Sequence, residues 1–310
     1  MTILLLGAKG QLGQAFLGHE GFQRLGDLKA ASRDGTLHDG GAALAADLAD
    51  PEALIALLDA ERPRVIINAA AYTAVDRAEH EEDLATRING YALSVIGQWA
   101  VSHKSLVVHY STDYVFDGRA TAPYNEDAPT GPTGAYGRSK LAGEQALRAS
   151  GAAHLIFRTA WVYSAVGQNF LRTMLRLGRE RDEIRVVSDQ RGTPTDTGLI
   201  VEATVAALRQ WHAVDAVEKN NLQGTYHLTA SGDTTWHGFA EAVLMQAAER
   251  GLIENAPRIT PISTAEFPTP ARRPAYSVLD TSRLASRFNI SFPQWQDGIE
   301  HVLTAISEPE

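Results

Sequence analysis

Tyr136 and Lys140 stand four positions apart in a Tyr-Gly-Arg-Ser-Lys segment. In a helix this spacing puts the two side chains on one face, one turn apart. An ammonium group in that position would favour the phenolate and bring the tyrosine pKa down from its reference value of about 10. The pair therefore predicts a proton donor whose pKa is tuned by its neighbour.

A glycine-rich turn follows directly on the apolar run at residues 2–6. Gly7, Gly10 and Gly13 are spaced three apart and precede a helix-like segment. Gly7 permits a tight turn, Gly10 lets a phosphate reach the backbone, and Gly13 lets helix and strand pack closely. The turn predicts a dinucleotide site, and together with the Tyr–Lys pair it indicates a nicotinamide cofactor.

The end of the second predicted strand bears on the choice of cofactor. In dinucleotide-binding folds this strand normally ends in an acidic residue that binds the adenosine ribose. Here Ser32 and Arg33 stand in that place. A hydroxyl and a guanidinium suit a 2′-phosphate, so NADPH is the predicted cofactor and NADH a second acceptable one. The alternative is that Arg33 is a solvated surface residue and that Asp34 or Asp39 supplies the carboxylate.

Hydroxyl and aromatic groups follow two further predicted strands. Ser111 and Thr112 stand at the end of a strand that includes residues 106–108. Open α/β sheets bind their ligands at the carboxyl ends of strands, so a hydroxyl there can bind a carbonyl oxygen in concert with Tyr136. Trp161 follows a later strand, where it is either a core aromatic or part of a substrate pocket.

Composition narrows the class of protein. The chain has 310 residues, 44% of them apolar and 21% charged, as in an ordinary globular enzyme. Its net charge of -9 argues against nucleic acid or an anionic membrane as a partner. It has no cysteine, which excludes disulfides and thiol nucleophiles. The apolar start is too short for a membrane span and unlike a signal peptide, so a cytoplasmic location is expected.

Strand-like and helix-like segments alternate through the first half of the chain. This order predicts an α/β protein with a doubly wound parallel sheet of the Rossmann type. We assign residues 1–165 to this dinucleotide-binding domain. Residues 166–310 are assigned mainly to a smaller α/β substrate-binding domain with a discontinuous boundary, because some of its segments return to the first domain. One long helix is expected from about Glu79 to Ser102.

Several phrases of the sequence resemble the extended short-chain dehydrogenase/reductase family. They are GQLG at 10–13, NAAAYTAVD at 68–76, HYSTDYVFDG at 109–118, YGRSKLAGE at 136–144, FRTAWVY at 157–163 and PARRP at 270–274. The resemblance covers nearly the whole chain, and the STDYVF phrase is highly specific.

The resemblance implies an activity and a set of residues. The activity is reduction of the C4 ketone of dTDP-4-dehydro-L-rhamnose to dTDP-L-rhamnose, with hydride from the nicotinamide and a proton from Tyr136. The implied catalytic group is Thr112, Tyr136 and Lys140. The cofactor positions, from the resemblance and from the motifs above, are Gly7, Gly10, Gln11, Leu12, Gly13, Ser32, Arg33, Asp47, Leu48, Ala69, Ala70, Ala71, Tyr72, Thr73, Tyr136 and Lys140. The implied substrate positions are Thr112, Asp113, Tyr114 and Trp161.

The sequence also departs from the family. Some members bind magnesium between subunits through glutamates, whereas Ala15 and Gln296 stand at the corresponding positions, so no metal is predicted. The expected partner is a small nucleotide-sugar substrate, with no nucleic acid and no membrane. The expected state of the protein is a monomer or a homodimer.

Two other functions compete with the reductase. A sugar-nucleotide 4-epimerase or 4,6-dehydratase would use the same fold, but dehydratases place an Asp-Glu pair after the catalytic threonine, and here Thr112 is followed by Asp113 and Tyr114. A non-catalytic, cofactor-binding regulatory subunit is the second rival. The presence of Thr112, Tyr136 and Lys140 together argues against it.

Overall fold

The computed structural model describes residues 1–307, and residues 308–310, the end of the predicted second domain, lie outside the described part. Strands and helices alternate along it. The strands are β1 (Thr2–Leu6), β2 (Asp27–Ser32), β3 (Leu44–Ala45), β4 (Val65–Asn68), β5 (Leu106–Thr112), β6 (His154–Thr159), β7 (Val162–Tyr163), β8 (Glu183–Val187), β9 (Arg191–Gly192), β10 (Thr195–Asp196), β11 (Gly224–His227), β12 (Thr234–Thr235) and β13 (Arg258–Ile262). The helices are α1 (Gln11–Gly18), α2 (Glu20–Gln23), α3 (Pro51–Glu61), α4 (Val75–Ala78), α5 (Glu82–Thr86), α6 (Ala92–His103), α7 (Ala135–Ser150), α8 (Phe170–Glu180), α9 (Thr197–Ala213), α10 (Ala216–Leu222), α11 (Trp236–Glu249), α12 (Ser282–Phe288) and α13 (Trp295–Ser307).

The large sheet has seven strands in the order β11-β6-β5-β4-β1-β2-β3, and all its pairs are parallel. Apolar clusters cover both of its faces. The chain reverses its direction across the sheet between β1 and β4, and ligands of doubly wound folds bind in the crevice outside such a reversal. The predicted Rossmann-type α/β fold is confirmed.

Local sequence explains the central elements. Apart from Thr2 at the start of β1 and Asn68 at the end of β4, both strands are apolar, and the strands of a sheet covered on both faces need such runs because neither face meets water. α3 begins after Asp50, whose carboxylate accepts hydrogen bonds from the backbone N–H groups of Glu52 and Ala53. Pro51 follows at the first helical position, where it costs no hydrogen bond.

The helix expected over residues 79–102 is shorter and less regular than predicted. The helical stretch begins at Glu82, runs through α5, passes one π turn at Arg87–Tyr91 and continues as α6. Glu79 lies in the turn before it, where its carboxylate accepts a hydrogen bond from the backbone N–H of Ala135 at 2.8 Å. A Cβ on Gly143 of α7 would lie 2.1 Å from the Asn89 carbonyl oxygen, so the π turn packs backbone to backbone on α7.

A third apolar cluster lies after residue 160 and is built mainly on α8, α11 and α13. Segments of the second half also join the large sheet: β11 pairs with β6, and α9 packs on α1. The division at residues 1–165 and 166–310 remains a prediction. Among residues 1–307, no helix combines the length and apolar character needed to cross a bilayer.

Candidate active site

A cleft of about 740 Å³ opens at the carboxyl ends of the large sheet. The segments that follow β1, β2, β4, β5 and β6 contribute to its wall. The predicted site residues that line it are Gly7, Gly10, Gln11, Leu12, Ser32, Arg33, Asp47, Leu48, Ala69, Ala70, Ala71, Thr73, Thr112, Asp113, Tyr114, Tyr136, Lys140 and Trp161. Tertiary structure thus brings together groups that are up to half the chain apart.

The turn after β1 is built for close approach of a ligand to the backbone. Gly7 has a φ of 83°, and a Cβ there would lie 2.6 Å from the Ala70 backbone nitrogen. Gly10 precedes α1 without a side-chain cap, so N–H groups of the first helical turn are left for a ligand. A helix start of this kind binds phosphate through free N–H groups and the helix dipole. These residues fit the pyrophosphate of a dinucleotide.

Two predicted cofactor residues do not line the cleft. A Cβ on Gly13 would lie 2.2 Å from the Gly7 carbonyl oxygen, so Gly13 serves the close packing of α1 on the turn. The Tyr72 hydroxyl donates a 2.5 Å hydrogen bond to Glu81, and the Tyr72 backbone N–H donates to Asn89. Tyr72 is thereby fixed to the segment around α5 and the π turn.

The adenosine end of the cleft contains both signs of charge. Arg33 is exposed and lines the cleft beside the buried Ser32. Asp34 also lines it, whereas Asp39 accepts a hydrogen bond within its own turn from Gly41. Lys9 Nζ lies 2.8 Å from Asp34 Oδ2, and this hydrogen bond holds the Asp34 pKa far below its usual range.

Lys9 is a site residue that the sequence analysis missed. It lines the cleft within the glycine-rich turn, and its Nζ also donates to Thr36 at 2.8 Å. A lysine between the motif glycines was visible in the sequence. The sequence did not show the contact between Lys9 and Asp34, because Asp34 follows β2, 25 positions further along the chain.

Tyr136 and Lys140 both lie on α7, one turn apart, and both line the cleft. A Cβ on Gly137 would lie 2.2 Å from the Tyr114 carbonyl oxygen, so α7 packs directly on the turn that follows β5. That contact places the Tyr136 ring edge-on to Tyr114 at 5.6 Å. The helix therefore carries the predicted proton donor to the strand end that holds Thr112.

The expectation that Lys140 lowers the Tyr136 pKa is wrong for this structure. Burial, and next the charge of Asp113, raise the Tyr136 pKa above its usual value. Lys140 Nζ donates a 2.6 Å hydrogen bond to the Tyr110 carbonyl oxygen and lies 3.3 Å from His109 Nε2. Burial lowers the pKa of Lys140 to about 7, and among residues 1–307 no carboxylate accepts a hydrogen bond from its amine to offset this effect.

Thr112 and Asp113 form the cleft floor at the end of β5. The Thr112 hydroxyl donates to Asp113 Oδ1 at 2.9 Å and accepts a hydrogen bond from the Tyr114 backbone N–H. Both side chains are buried, and burial raises the pKa of Asp113 to about 6. Asp113 can therefore be either a carboxylate or a carboxylic acid in the weakly acidic to neutral range.

Trp161 was expected to be either a core aromatic or part of a substrate pocket. It lines the cleft and also packs in an aromatic cluster. Its backbone has a φ of 48°, which is uncommon for a bulky residue and is found at functional sites. Its indole stacks on Trp236 with ring centroids 3.6 Å apart. A Cβ on Gly192 would lie 2.5 Å from Trp161 Cε2. Trp236 and Gly192 were not predicted, because nothing near them in sequence indicates the contact.

Three features define the class of protein: the parallel sheet, the glycine-rich turn after β1, and the strand-end hydroxyl beside a tyrosine and a lysine of α7. It is a Rossmann-type oxidoreductase that uses a nicotinamide dinucleotide. A family model described as RmlD substrate binding domain matches residues 1–308. The chain belongs to this family, that of the dTDP-4-dehydrorhamnose reductases.

Individual relatives agree with the family assignment. The dTDP-4-dehydrorhamnose reductase of Burkholderia thailandensis is 44% identical over 300 residues, 96% of each chain. The crystal structure of the Clostridium acetobutylicum reductase has a TM-score of 0.84 at 33% identity and covers 99% of this chain and 100% of its own. The Bacillus anthracis reductase in complex with NADP has a TM-score of 0.83 at 32% identity, covering 98% of each chain.

Proposed function

We propose that this protein reduces the C4 ketone of dTDP-4-dehydro-L-rhamnose to dTDP-L-rhamnose with NADPH. The observation that carries the proposal is the convergence of Thr112, Tyr136 and Lys140 on one wall of the cleft that begins at the glycine-rich turn. The names of the relatives supply the substrate, because they are reductases of dTDP-4-dehydrorhamnose.

The residues of this chain suggest how the reaction is catalysed. When bound, NADPH supplies the hydride for the sugar C4. Tyr136 gives the developing alkoxide its proton, and its raised pKa keeps it a protonated phenol at neutral pH. Thr112 donates a hydrogen bond to the same substrate oxygen. To do so, its hydroxyl must give up the hydrogen bond that it donates to Asp113. Lys140 contacts Tyr110 and His109, and it donates a remaining hydrogen of its amine to the nicotinamide ribose.

The cofactor end supports NADPH as the preferred cofactor, with NADH also accepted. Arg33, Lys9 and Ser32 all line this end of the cleft, so two positive charges and a hydroxyl are available to a 2′-phosphate. Asp34 is a carboxylate at the same place that can bind ribose hydroxyls instead, but its pairing with Lys9 offsets its repulsion of a phosphate. The relative from Bacillus anthracis has NADP bound.

The second half of the chain, residues 166–310, is proposed to bind mainly the nucleotide sugar. Gln11 at the start of α1 supports a cleft shared between the halves, since its amide oxygen accepts a hydrogen bond from Asn169 at 2.8 Å. Asp113, Tyr114 and Trp161 are proposed to contact the sugar nucleotide. The monomeric or homodimeric state, the lack of a metal and the cytoplasmic location remain predictions.

One assay tests this function. Oxidation of NADPH is followed by absorbance with dTDP-4-dehydro-L-rhamnose and with its UDP and GDP counterparts. Stoichiometric oxidation with the dTDP sugar, and formation of dTDP-L-rhamnose, is the expected result. Interconversion of C4 epimers without net NADPH consumption would indicate an epimerase. No turnover, with a stable enzyme partner in a pull-down, would indicate a regulatory subunit.

A further inference from the structure

Three buried side chains form a continuous polar chain at the wall of the cleft, where Asn68 and Lys140 line the cleft and His109 lies behind them. Asn68 at the end of β4 lies beside His109 of β5, with 3.2 Å between Asn68 Nδ2 and His109 Nδ1. His109 Nε2 lies 3.3 Å from Lys140 Nζ of α7. The exposed fractions of Asn68, His109 and Lys140 are 1%, 0% and 2%. Little of these side chains is therefore open to water, and the donors and acceptors that face one another within the chain must match.

The amide of Asn68 determines which nitrogen of His109 carries the proton. Asn68 Oδ1 accepts a hydrogen bond from the Ala70 backbone N–H at 3.3 Å. The opposite amide orientation would set an NH₂ group against that N–H. The NH₂ group of Asn68 therefore faces His109 Nδ1, which must be the bare, accepting nitrogen. A neutral imidazole then carries its hydrogen on Nε2, facing Lys140.

This tautomer sets a condition on Lys140. An ammonium has three donors and no acceptor, so it would oppose the Nε2–H group of His109. A neutral amine accepts from His109, donates one hydrogen to the Tyr110 carbonyl and keeps a second hydrogen for the cleft. We propose that His109, oriented by Asn68, is a positioning residue that holds Lys140 as a neutral amine in the cofactor-free protein.

The charged groups around the chain agree with this assignment. Glu144, one turn after Lys140 on α7, favours the ammonium by its charge, but its oxygens bond to Arg158 and Arg148 and not to Lys140. Burial is the larger effect on Lys140 and lowers its pKa. Burial lowers the pKa of His109 well below its usual range, so the imidazole is neutral whether or not Lys140 is charged. Tyr136, one turn before Lys140, is a neutral phenol.

The consequence for turnover rests on the proposed function. An amine that titrates near neutral pH exists in both forms there, and anionic groups that enter the cleft, such as the cofactor or the phenolate left by proton donation, shift it towards the ammonium. Lys140 would then take up a proton beside Tyr136 when these groups are present, and the contact with His109 would set the pKa of Lys140. His109 does not line the cleft, so it acts through Lys140.

NMR of the cofactor-free, full-length protein tests the inference without substrate. The chain has five lysines, Lys9, Lys29, Lys104, Lys140 and Lys219, so labelling each at Cε gives five resolvable signals. The signal lost in Lys140→Met is expected to titrate near pH 7, well apart from exposed lysines at about 10.4. Imidazole ¹⁵N shifts are expected to show His109 with its proton on Nε2. A Nδ1–H tautomer, or Lys140 titrating with the other lysines, would overturn the proposal.

His109→Gln supplies the matching variant. Its amide oxygen can accept from an ammonium, so the Lys140 pKa is expected to rise by about one pH unit or more. His227→Gln is the control, because His227 is equally buried, whereas the hydrogen bonds of Lys140 within residues 1–307 go to His109 and Tyr110. An unchanged Lys140 titration in His109→Gln contradicts the proposal. If that variant does not fold, the tautomer and titration of the unmodified protein still decide it, and neither depends on which sugar is reduced.

Discussion

The hydroxyl of Thr112 donates a 2.9 Å hydrogen bond to Oδ1 of its neighbour Asp113. The group proposed to bind the substrate oxygen is therefore engaged before any ligand arrives. Asp113 is buried, and burial raises its pKa from 3.8 to about 6. Thr112 can release its hydrogen bond more easily when Asp113 is protonated, so the floor of the cleft is sensitive to pH in the weakly acidic range.

Asp113→Asn is expected to stabilise the cofactor-free protein at about pH 8. The folded pKa lies above the unfolded value of 3.8, so the folded state binds more protons between these values, and stability is lost as pH rises from 3.8 to about 6. The variant should avoid this loss, on the order of 3 kcal/mol, and its advantage should shrink towards pH 4. Thermal unfolding across pH measures it. The exposed Asp182→Asn is the control, and a variant with the wild-type pH dependence would contradict the assignment.

Tyr136→Phe is expected to lower kcat by at least about 100-fold, because general acid catalysis contributes roughly 10²–10⁴ in rate. The dissociation constant of NADPH should stay the same, since the ring and its packing on Tyr114 remain. Stopped-flow and fluorescence titration separate the two quantities. Tyr91→Phe, at a tyrosine that is 54% exposed, is the matched control. Near-normal turnover by Tyr136→Phe would remove this residue from the mechanism.

Arg33→Ala is expected to raise KM for NADPH about tenfold or more and to leave KM for NADH nearly unchanged. A charge-assisted hydrogen bond to the 2′-phosphate contributes about 1.5–3 kcal/mol, and NADH lacks that phosphate. Asp34→Asn should shift the preference towards NADPH, because it removes a carboxylate from the same part of the cleft. Steady-state kinetics with both cofactors measure the change, with Arg209→Ala as control. Equal losses for the two cofactors would show that Arg33 does not bind the phosphate.

Gly192→Ala is expected to raise KM for the sugar nucleotide and to leave KM for NADPH unchanged. The new Cβ would lie 2.5 Å from Trp161 Cε2, and the stack on Trp236 at 3.6 Å leaves the indole little room to retreat. Gly18→Ala is the control, because a Cβ at Gly18 would have no atom of the described residues, 1–307, within 4 Å. Unaltered substrate binding in Gly192→Ala would exclude Trp161 from the sugar-nucleotide site.

Glu144→Gln is expected to lower the free energy of unfolding by about 3–5 kcal/mol, because it leaves the buried guanidinium of Arg158 without its counter-charge. The side chains of Arg158 and Glu144 are 4% and 0% exposed, and two hydrogen bonds of 2.9 and 2.7 Å join them. Glu82→Gln is the control: its ion pair with Arg138 has the same chemistry but is 43% and 45% exposed, so about 1 kcal/mol or less is expected. Urea unfolding compares the two, and similar losses would contradict the prediction.

Local sequence determined those features that depend on neighbours along the chain. A run of apolar residues followed by Gly7, Gly10 and Gly13 predicts a strand, a phosphate-binding turn and a helix, because each step follows from backbone geometry. The alternation of elements predicts the parallel sheet. The strand, the helix and the sheet were confirmed, and phosphate binding by the turn stays a prediction. The helix expected from Glu79 was wrong at its start, since a contact with Ala135 holds Glu79 in a turn.

Only the tertiary structure decided the chemical state of the groups in the cleft. The spacing of Tyr136 and Lys140 placed them on one face of α7, but spacing contains no information on burial. Lys140 contacts His109 and Tyr110 of β5, and its lowered pKa and the raised pKa of Tyr136 follow from the low polarity of that packed interior. A pKa depends on every group within a few ångströms, and those groups come from elements that are distant in the chain.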